Sequence, residues 1–315
     1  MKNYDVAIIG LGPTGGTLAN LIALGGFSVI VLDKEKSFYP LPRAVHFDDE
    51  VMRVFQTIGI TNSFLNHTII NKGTKFVNSK GKVILDREKS FYPLPRAVHF
   101  DDEVMRVFQT IGIAKSFLNY TIINKGTKFV NSKGKVILDW PRPRKVTENG
   151  WYPSYRFNQP DLEKQLRKKL REYKRVEIKQ NADVKKVQNI NKDYVRILFK
   201  NSVDKKTQEV NAKYVIGCDG ANSITRKLMG TNMDNLGFTQ KWAVVDLILK
   251  KNKKNLPDRT IQYSNPNQPA TYCRNVGKRR RWEFAIRNNL SNKKVLSEKY
   301  IWNFLKPWLK KKKLI

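Results

Sequence analysis

The residues best placed to do chemistry stand in the first 33. Gly10, Gly12 and Gly15 fall in a G-x-G-x-x-G spacing, with Pro13 and Thr14 inside the loop, and Asp33 follows eighteen residues after Gly15. Each glycine answers a mechanical need: a tight turn at Gly10, a bare backbone at Gly12 for close approach of a pyrophosphate, and close packing of helix on strand at Gly15. The N–H groups opening a helix after such a loop bind phosphate, and an acid at the distance of Asp33 accepts hydrogen bonds from the ribose hydroxyls of an adenine dinucleotide. A second candidate cluster is Gly217-Cys218-Asp219-Gly220-Ala221-Asn222-Ser223. No Ser-His-Asp set and no metal-ligand spacing competes with these, so any reaction would be carried by a bound cofactor.

The elements that hold these residues are legible in outline. An apolar run at Val6–Ile9 enters the glycine loop, a helical stretch follows, and a second run at Phe27–Leu32 ends on Asp33, which together make a βαβ opening of an α/β fold. Residues 33–85 then recur as 86–138, differing only at Lys34/Arg87, Thr61/Ala114, Asn62/Lys115 and His67/Tyr120. Two units do not make a solenoid, which needs three or more. Within one copy, Asp48-Asp49-Glu50 opens a helix whose Val51, Val54, Phe55 and Ile58 share a face, and 76–77 with 83–85 forms a hairpin. Only one copy can fill one native position, so the spare one is expected to pack poorly or to drive self-association of the chain into a homo-oligomer. Further on, Leu162, Leu166, Leu170 and Tyr173 stripe a helix beginning near Pro160; strands are expected at 176–179, 194–199 and 214–217. A mostly antiparallel sheet should follow from Trp242, then a basic helix over 300–313.

The formal charge of +33 invites a nucleic-acid reading, but the lysines are dispersed and accompany many asparagines and isoleucines rather than aromatics in a recognisable module. Sequence-blind, salt-sensitive adhesion to polyanions is the expectation, not specific recognition. No segment approaches the roughly 20 apolar residues of a membrane span. Two cysteines, Cys218 and Cys273, without framework spacing fit a reducing cytoplasmic setting.

Taken in order, the fingerprint, the block Pro42-Arg43-Ala44-Val45-His46-Phe47-Asp48-Asp49-Glu50, the Arg156/Gln159 segment and the Asp219-Gly220 block resemble the FAD-dependent aromatic hydroxylases, single-component flavoprotein monooxygenases, and within them the 3-(3-hydroxyphenyl)propionate hydroxylase group. The resemblance implies a Rossmann-like FAD-binding region over 1–230, interleaved with a mostly antiparallel substrate region that continues over 231–315 and is incomplete at its C-terminal end. It implies that Gly10, Gly12, Pro13, Thr14, Gly15 and Asp33 hold the ADP half of FAD. Arg43, favoured by chain continuity over its duplicate Arg96, would reach the flavin side, Gln159 would lie near the flavin, and Asp219 and Gly220 would serve FAD and NADH or NADPH use. The implied reaction hydroxylates a small phenolic acid with O2. The family's later Gly-Asp-Ala-Ala-His type motif does not occur, so a truncated chain with weakened FAD binding is expected. The alternative is a non-catalytic basic fragment.

Overall fold

A computed structural model of the chain describes residues 2–37, 99–234, 241–249, 256–286, 290–295 and 297–309, together with the backbone of two short strands at 75–77 and 83–86. Strand β1 (Asn3–Ile9) is buried on both faces over Val6–Ile9, as a central parallel strand must be. Helix α1 (Pro13–Leu24) starts with proline, which gives up no helical hydrogen bond at that position, and β2 (Val29–Asp33) is wholly buried. The first-copy hairpin is present as β3 (Lys75–Val77) and β4 (Val83–Asp86).

The second copy supplies β5 (His99–Asp101) and helix α2 (Asp102–Thr110). Asp101 caps that helix by accepting from the Val104 N–H at 3.1 Å, and Asp102 and Glu103 occupy its positive first turn. Next come α3 (Ala114–Leu118), β6 (Thr121–Ile123), β7 (Gly126–Asn131), β8 (Val136–Pro141), β9 (Ser154–Phe157) and α4 (Gln159–Leu170). Four strands follow, β10 (Val176–Gln180), β11 (Ala182–Asn189), β12 (Val195–Asn201) and β13 (Thr207–Gly217), then the short helix α5 (Ile224–Leu228). The chain continues as β14 (Trp242–Ile248), β15 (Thr260–Ser264), β16 (Ala270–Arg274), β17 (Arg279–Ala285), α6 (Asn292–Val295) and α7 (Glu298–Leu305).

Three larger sheets organise these elements. The first has the order β10-β2-β1-β13-β12-β11, with β10, β2, β1 and β13 parallel and the last two joined as antiparallel neighbours. Helices α1 and α4 cover it, held together by Asn20, whose Nδ2 donates to Gly16 O at 2.7 Å and Leu166 O at 3.2 Å. The second has the order β14-β17-β16-β15-β7-β8 and is antiparallel except where β15 runs parallel to β7. The third, β5-β9-β6, contributes Phe100, Tyr155 and Phe157 to an aromatic cluster with Phe108 and Phe117.

The mostly antiparallel second sheet is as expected, and the elements differ from the sequence reading in three details. Strand β11 escaped the sequence reading because Asn181, at φ 57°, turns β10 straight into it. The second sheet takes a pair of strands from the duplicated block, so its antiparallel run is broken by a parallel pair that no local pattern encodes. The final helix ends at Leu305, short of the basic run, whose residues 310–313 lie outside the described residues. Among the described residues, it is the second copy that packs its helix into the core, with Val104, Met105, Phe108, Ala114 and Phe117 buried.

Candidate functional site

The carboxyl ends of β1, β2 and β13 lie side by side, because the register pairs Ile9 with both Leu32 and Gly217. The ladder continues one step past the strands: Gly10 N–H donates to Leu32 O at 2.8 Å and Cys218 N–H to Ile9 O at 2.7 Å. Ligands of open α/β sheets bind outside the carboxyl ends of the strands where connections diverge. At this edge β1 leads to α1 and β2 ends at its neighbour, so the glycine loop, Asp33 and the Cys218–Gly220 turn converge there.

Two glycines keep the loop closed on itself. Gly10 has φ 101°, and a Cβ on it would stand 2.5 Å from Cys218 O; a Cβ on Gly15 would stand 2.0 Å from Gly10 O. Gly12 differs, since nothing lies within 4 Å of its would-be Cβ. It is the N-cap of α1 and carries no side-chain cap, so the Thr14 and Gly15 N–H groups have no partner within the helix. Open space in front of uncapped donors at the positive end of a twelve-residue helix is a cradle for a diphosphate.

Asp33 is 7% exposed. Its Oδ2 accepts from Arg167 Nη2 at 2.9 Å and its Oδ1 from the Glu35 N–H at 3.3 Å. Asp219 is held by its neighbours: Oδ1 accepts from Ser223 Oγ at 2.6 Å, and Oδ2 accepts from the N–H groups of Ile224 at 2.7 Å and Thr225 at 3.1 Å. Burial alone would raise its pKa, but these hydrogen bonds outweigh it and hold the carboxyl below its ordinary value. The carboxylate thus braces the start of α5, and Gly220, at φ 79°, completes the turn. Gln159, at the start of α4, is 3% exposed; its Nε2 donates to Glu163 Oε1 at 2.7 Å while its Oε1 is buried with no hydrogen-bond partner. Such an acceptor fits a site completed by a bound donor.

Arg43 and Arg96 both lie outside the described residues. Of two buried arginines here, Arg167 was missed by sequence reading, and Arg156 was named only as part of a motif. Arg167 belongs to a buried polar stripe, Gln159, Glu163 and Arg167 at i, i+4 and i+8, which was the available signal beside the leucine stripe. Arg156, 1% exposed on β9, donates to Asn124 Oδ1, Asp258 O and Arg274 O at 3.1 Å each and to Thr260 Oγ1 at 3.3 Å, and so ties the third sheet to the second. Burial lowers its pKa to about 10, leaving it a cation at neutral pH. Burial also pushes the thiols of Cys218 and Cys273 up to about 12, so neither is a nucleophile near pH 7.

A family model described as an FAD binding domain matches residues 3–83 and again 79–311. The chain belongs to the FAD-binding-domain family. The first match runs through the first copy of the duplicated block and the second through the other, as two copies of one family segment require. FAD is therefore the cofactor that the glycine cradle fits, and the α/β Rossmann-like reading of the fold holds.

Among curated relatives, a protein of Rhodococcus jostii (strain RHA1) named "Probable NADH-specific resorcinol 4-hydroxylase" is 30% identical over 96% of this chain and 46% of its own length. A 3-(3-hydroxy-phenyl)propionate/3-hydroxycinnamic acid hydroxylase of Mycolicibacterium smegmatis is 24% identical over 97% of this chain and 43% of its own. This chain spans about half the length of the curated relatives it matches. The crystal structure of p-nitrophenol 4-monooxygenase PnpA from Pseudomonas putida DLL-E4 superposes with a TM-score of 0.71 at 16% identity, covering 100% of this chain and 65% of that one. The flavin-dependent monooxygenase PieE, in complex with FAD and substrate, gives 0.69 at 12% identity, covering 96% and 46%. These superpositions agree on the fold.

Proposed function

We propose that this chain is the FAD-binding portion of an NAD(P)H-dependent flavoprotein hydroxylase acting on a small phenolic acid. The observation that carries the reading is the convergence of the uncapped glycine loop, Asp33 and the Asp219-Gly220 turn at the carboxyl ends of adjacent strands. The relatives' names support NADH as reductant and a phenol such as resorcinol or 3-(3-hydroxyphenyl)propionate as substrate.

In this reading the Thr14 and Gly15 N–H groups hold the pyrophosphate, Asp33 accepts from the ribose hydroxyls, and Gln159 Oε1 accepts a hydrogen bond on the flavin side. Bound FAD supplies the redox chemistry, by which NAD(P)H, a proton, O2 and the phenol become NAD(P)⁺, water and the hydroxylated ring. The protein's own groups bind, orient and exclude water. Among the described residues the second copy packs its helix into the core, which supports Arg96, three residues before β5, in place of Arg43 as the arginine reaching the flavin. We also place the chain in the cytoplasm, on its two free cysteines, and assign its charge to sequence-blind polyanion adhesion. No helix among the described residues is long and apolar enough to cross a membrane.

The test is oxygen uptake by protein supplemented with FAD and NADH across a panel of phenolic acids. Stimulation by a subset of phenols is expected. Uptake that ignores the phenol, or none at all, would count against the hydroxylase reading.

A further inference from the structure

We propose that Arg167 is a positioning residue of the ADP-ribose site: it sets the Asp33 carboxylate for the ribose and fixes the glycine loop against it. The proposal rests on the cofactor reading above.

The geometry is specific. One nitrogen, Nη2, donates to Asp33 Oδ2 at 2.9 Å and to Leu11 O at 3.0 Å, so a single guanidinium edge clamps the end of β2 to the loop leaving β1. These are the two walls between which an ADP-ribose would lie. Both side chains are nearly out of solvent, at 10% and 9% exposure, so the pair is held in a medium where charge-assisted hydrogen bonds fix orientation. The carboxylate is not exhausted: with Arg167 on one oxygen and the Glu35 N–H on the other, lone pairs remain for ribose hydroxyls. An arginine committed in this way also differs from one left free for a ribose 2′-phosphate, and the site keeps an acceptor for an unphosphorylated ribose.

Two further observations argue for a ligand role beyond a buried ion pair. Arg167 Nε is buried and has no hydrogen-bond partner among the described residues, so a donor remains unspent at the clamp. Its backbone is held by other contacts, since α4 is docked on α1 through Asn20 and through Leu166 against Gly16; the guanidinium is not needed to place the helix. In the run Arg167-Lys168-Lys169, Arg167 is the member that is buried.

The experiment measures ADP and FAD affinity by isothermal titration, beside the melting temperature without ligand, for the parent chain, Arg167→Met, Arg167→Lys, Asp33→Asn and the Arg167→Met/Asp33→Asn double variant. Losing an oriented charge-assisted contact should weaken ADP binding by about tenfold or more in Arg167→Met. The double variant should bind no worse than Asp33→Asn alone, because Arg167 acts through Asp33. Should Arg167→Met fail to fold, Arg167→Lys, which keeps the buried carboxylate neutralised, provides the same comparison. Parent-like ADP affinity in either folded variant, with only the melting temperature lowered, would overturn the proposal while leaving the cofactor reading in place. A parent chain that binds neither ADP nor FAD would overturn the cofactor reading and this proposal with it.

Discussion

Gly12 and Gly15 sit three residues apart in one loop, yet alanine at each should produce opposite failures. At Gly12 the backbone has φ −74° and ψ −171°, which any residue adopts, and the added methyl would meet nothing within 4 Å. Two small stability effects oppose each other there: alanine loses about 0.5–1 kcal/mol as an N-cap relative to glycine, and gains about 0.4–1 kcal/mol by restricting the unfolded chain. The melting temperature should move by about 2 °C or less. That methyl does occupy the space through which a diphosphate must approach the Thr14 and Gly15 N–H groups. Loss of two charge-assisted hydrogen bonds, about 1.5 kcal/mol each at the low end, predicts roughly a hundredfold weaker FAD or ADP. At Gly15 the methyl would stand 2.0 Å from Gly10 O and 3.1 Å from Gly10 C, both backbone atoms, so helix and strand would have to part. Gly15→Ala should cost about 3 kcal/mol or more and yield little folded protein. Thermal melts and ligand titration of both variants separate the two effects. Gly12→Ala with parent affinity, or a fully stable Gly15→Ala, would refute the reasoning.

Three other outcomes follow from particular contacts. Deleting residues 33–85 keeps the second copy, whose helix is packed in the core, with Asp86 taking the place of Asp33; deleting 86–138 instead puts threonine at the position of Ala114, which is 3% exposed. The first deletion should therefore melt higher than the second, and equal melting temperatures would mean the copies are interchangeable. Burial, reinforced by Asp101 and Asp102, raises the Glu103 pKa from 4.5 to about 7, so the folded chain holds this proton more tightly than the unfolded one and stability falls as pH rises from about 4.5 to 7. Glu103→Gln should flatten that part of the pH–stability curve and be the more stable protein at pH 8; an unchanged curve would contradict the shift. Arg156→Met strands several buried acceptors at roughly 1 kcal/mol or more each, and urea unfolding should record a loss of about 3 kcal/mol.

The parts of the site legible in the sequence are those set by local geometry. The glycine spacing, the acid ending β2 and the Asp219-Gly220 turn each encode a backbone requirement within a few residues, and the structure brings all three to one sheet edge. What stayed hidden depends on distant partners. Arg167 stands in a basic run that reads as a solvated face, and only the crossing of α4 over α1 decides which member is buried. The pairing of β15 with β7 joins residues more than a hundred apart, one of them in a duplicated block whose copies carry the same pattern. Sequence favoured Arg43 on continuity alone, since near-identical copies offer nothing else to choose by; the second copy's helix fills the aromatic core. Asp219, named from its motif, takes its hydrogen bonds from Ser223, Ile224 and Thr225, all within six residues, so this part of the site is local as well.

The central claim, that the ends of β1, β2 and β13 form an FAD site, is tested most directly by titrating FAD into the purified chain and following flavin fluorescence. The account predicts saturable binding of one FAD per chain, displaced by ADP because the glycine cradle and Asp33 address the ADP half. Flavin fluorescence that does not respond to the protein, or binding indifferent to ADP, would contradict it.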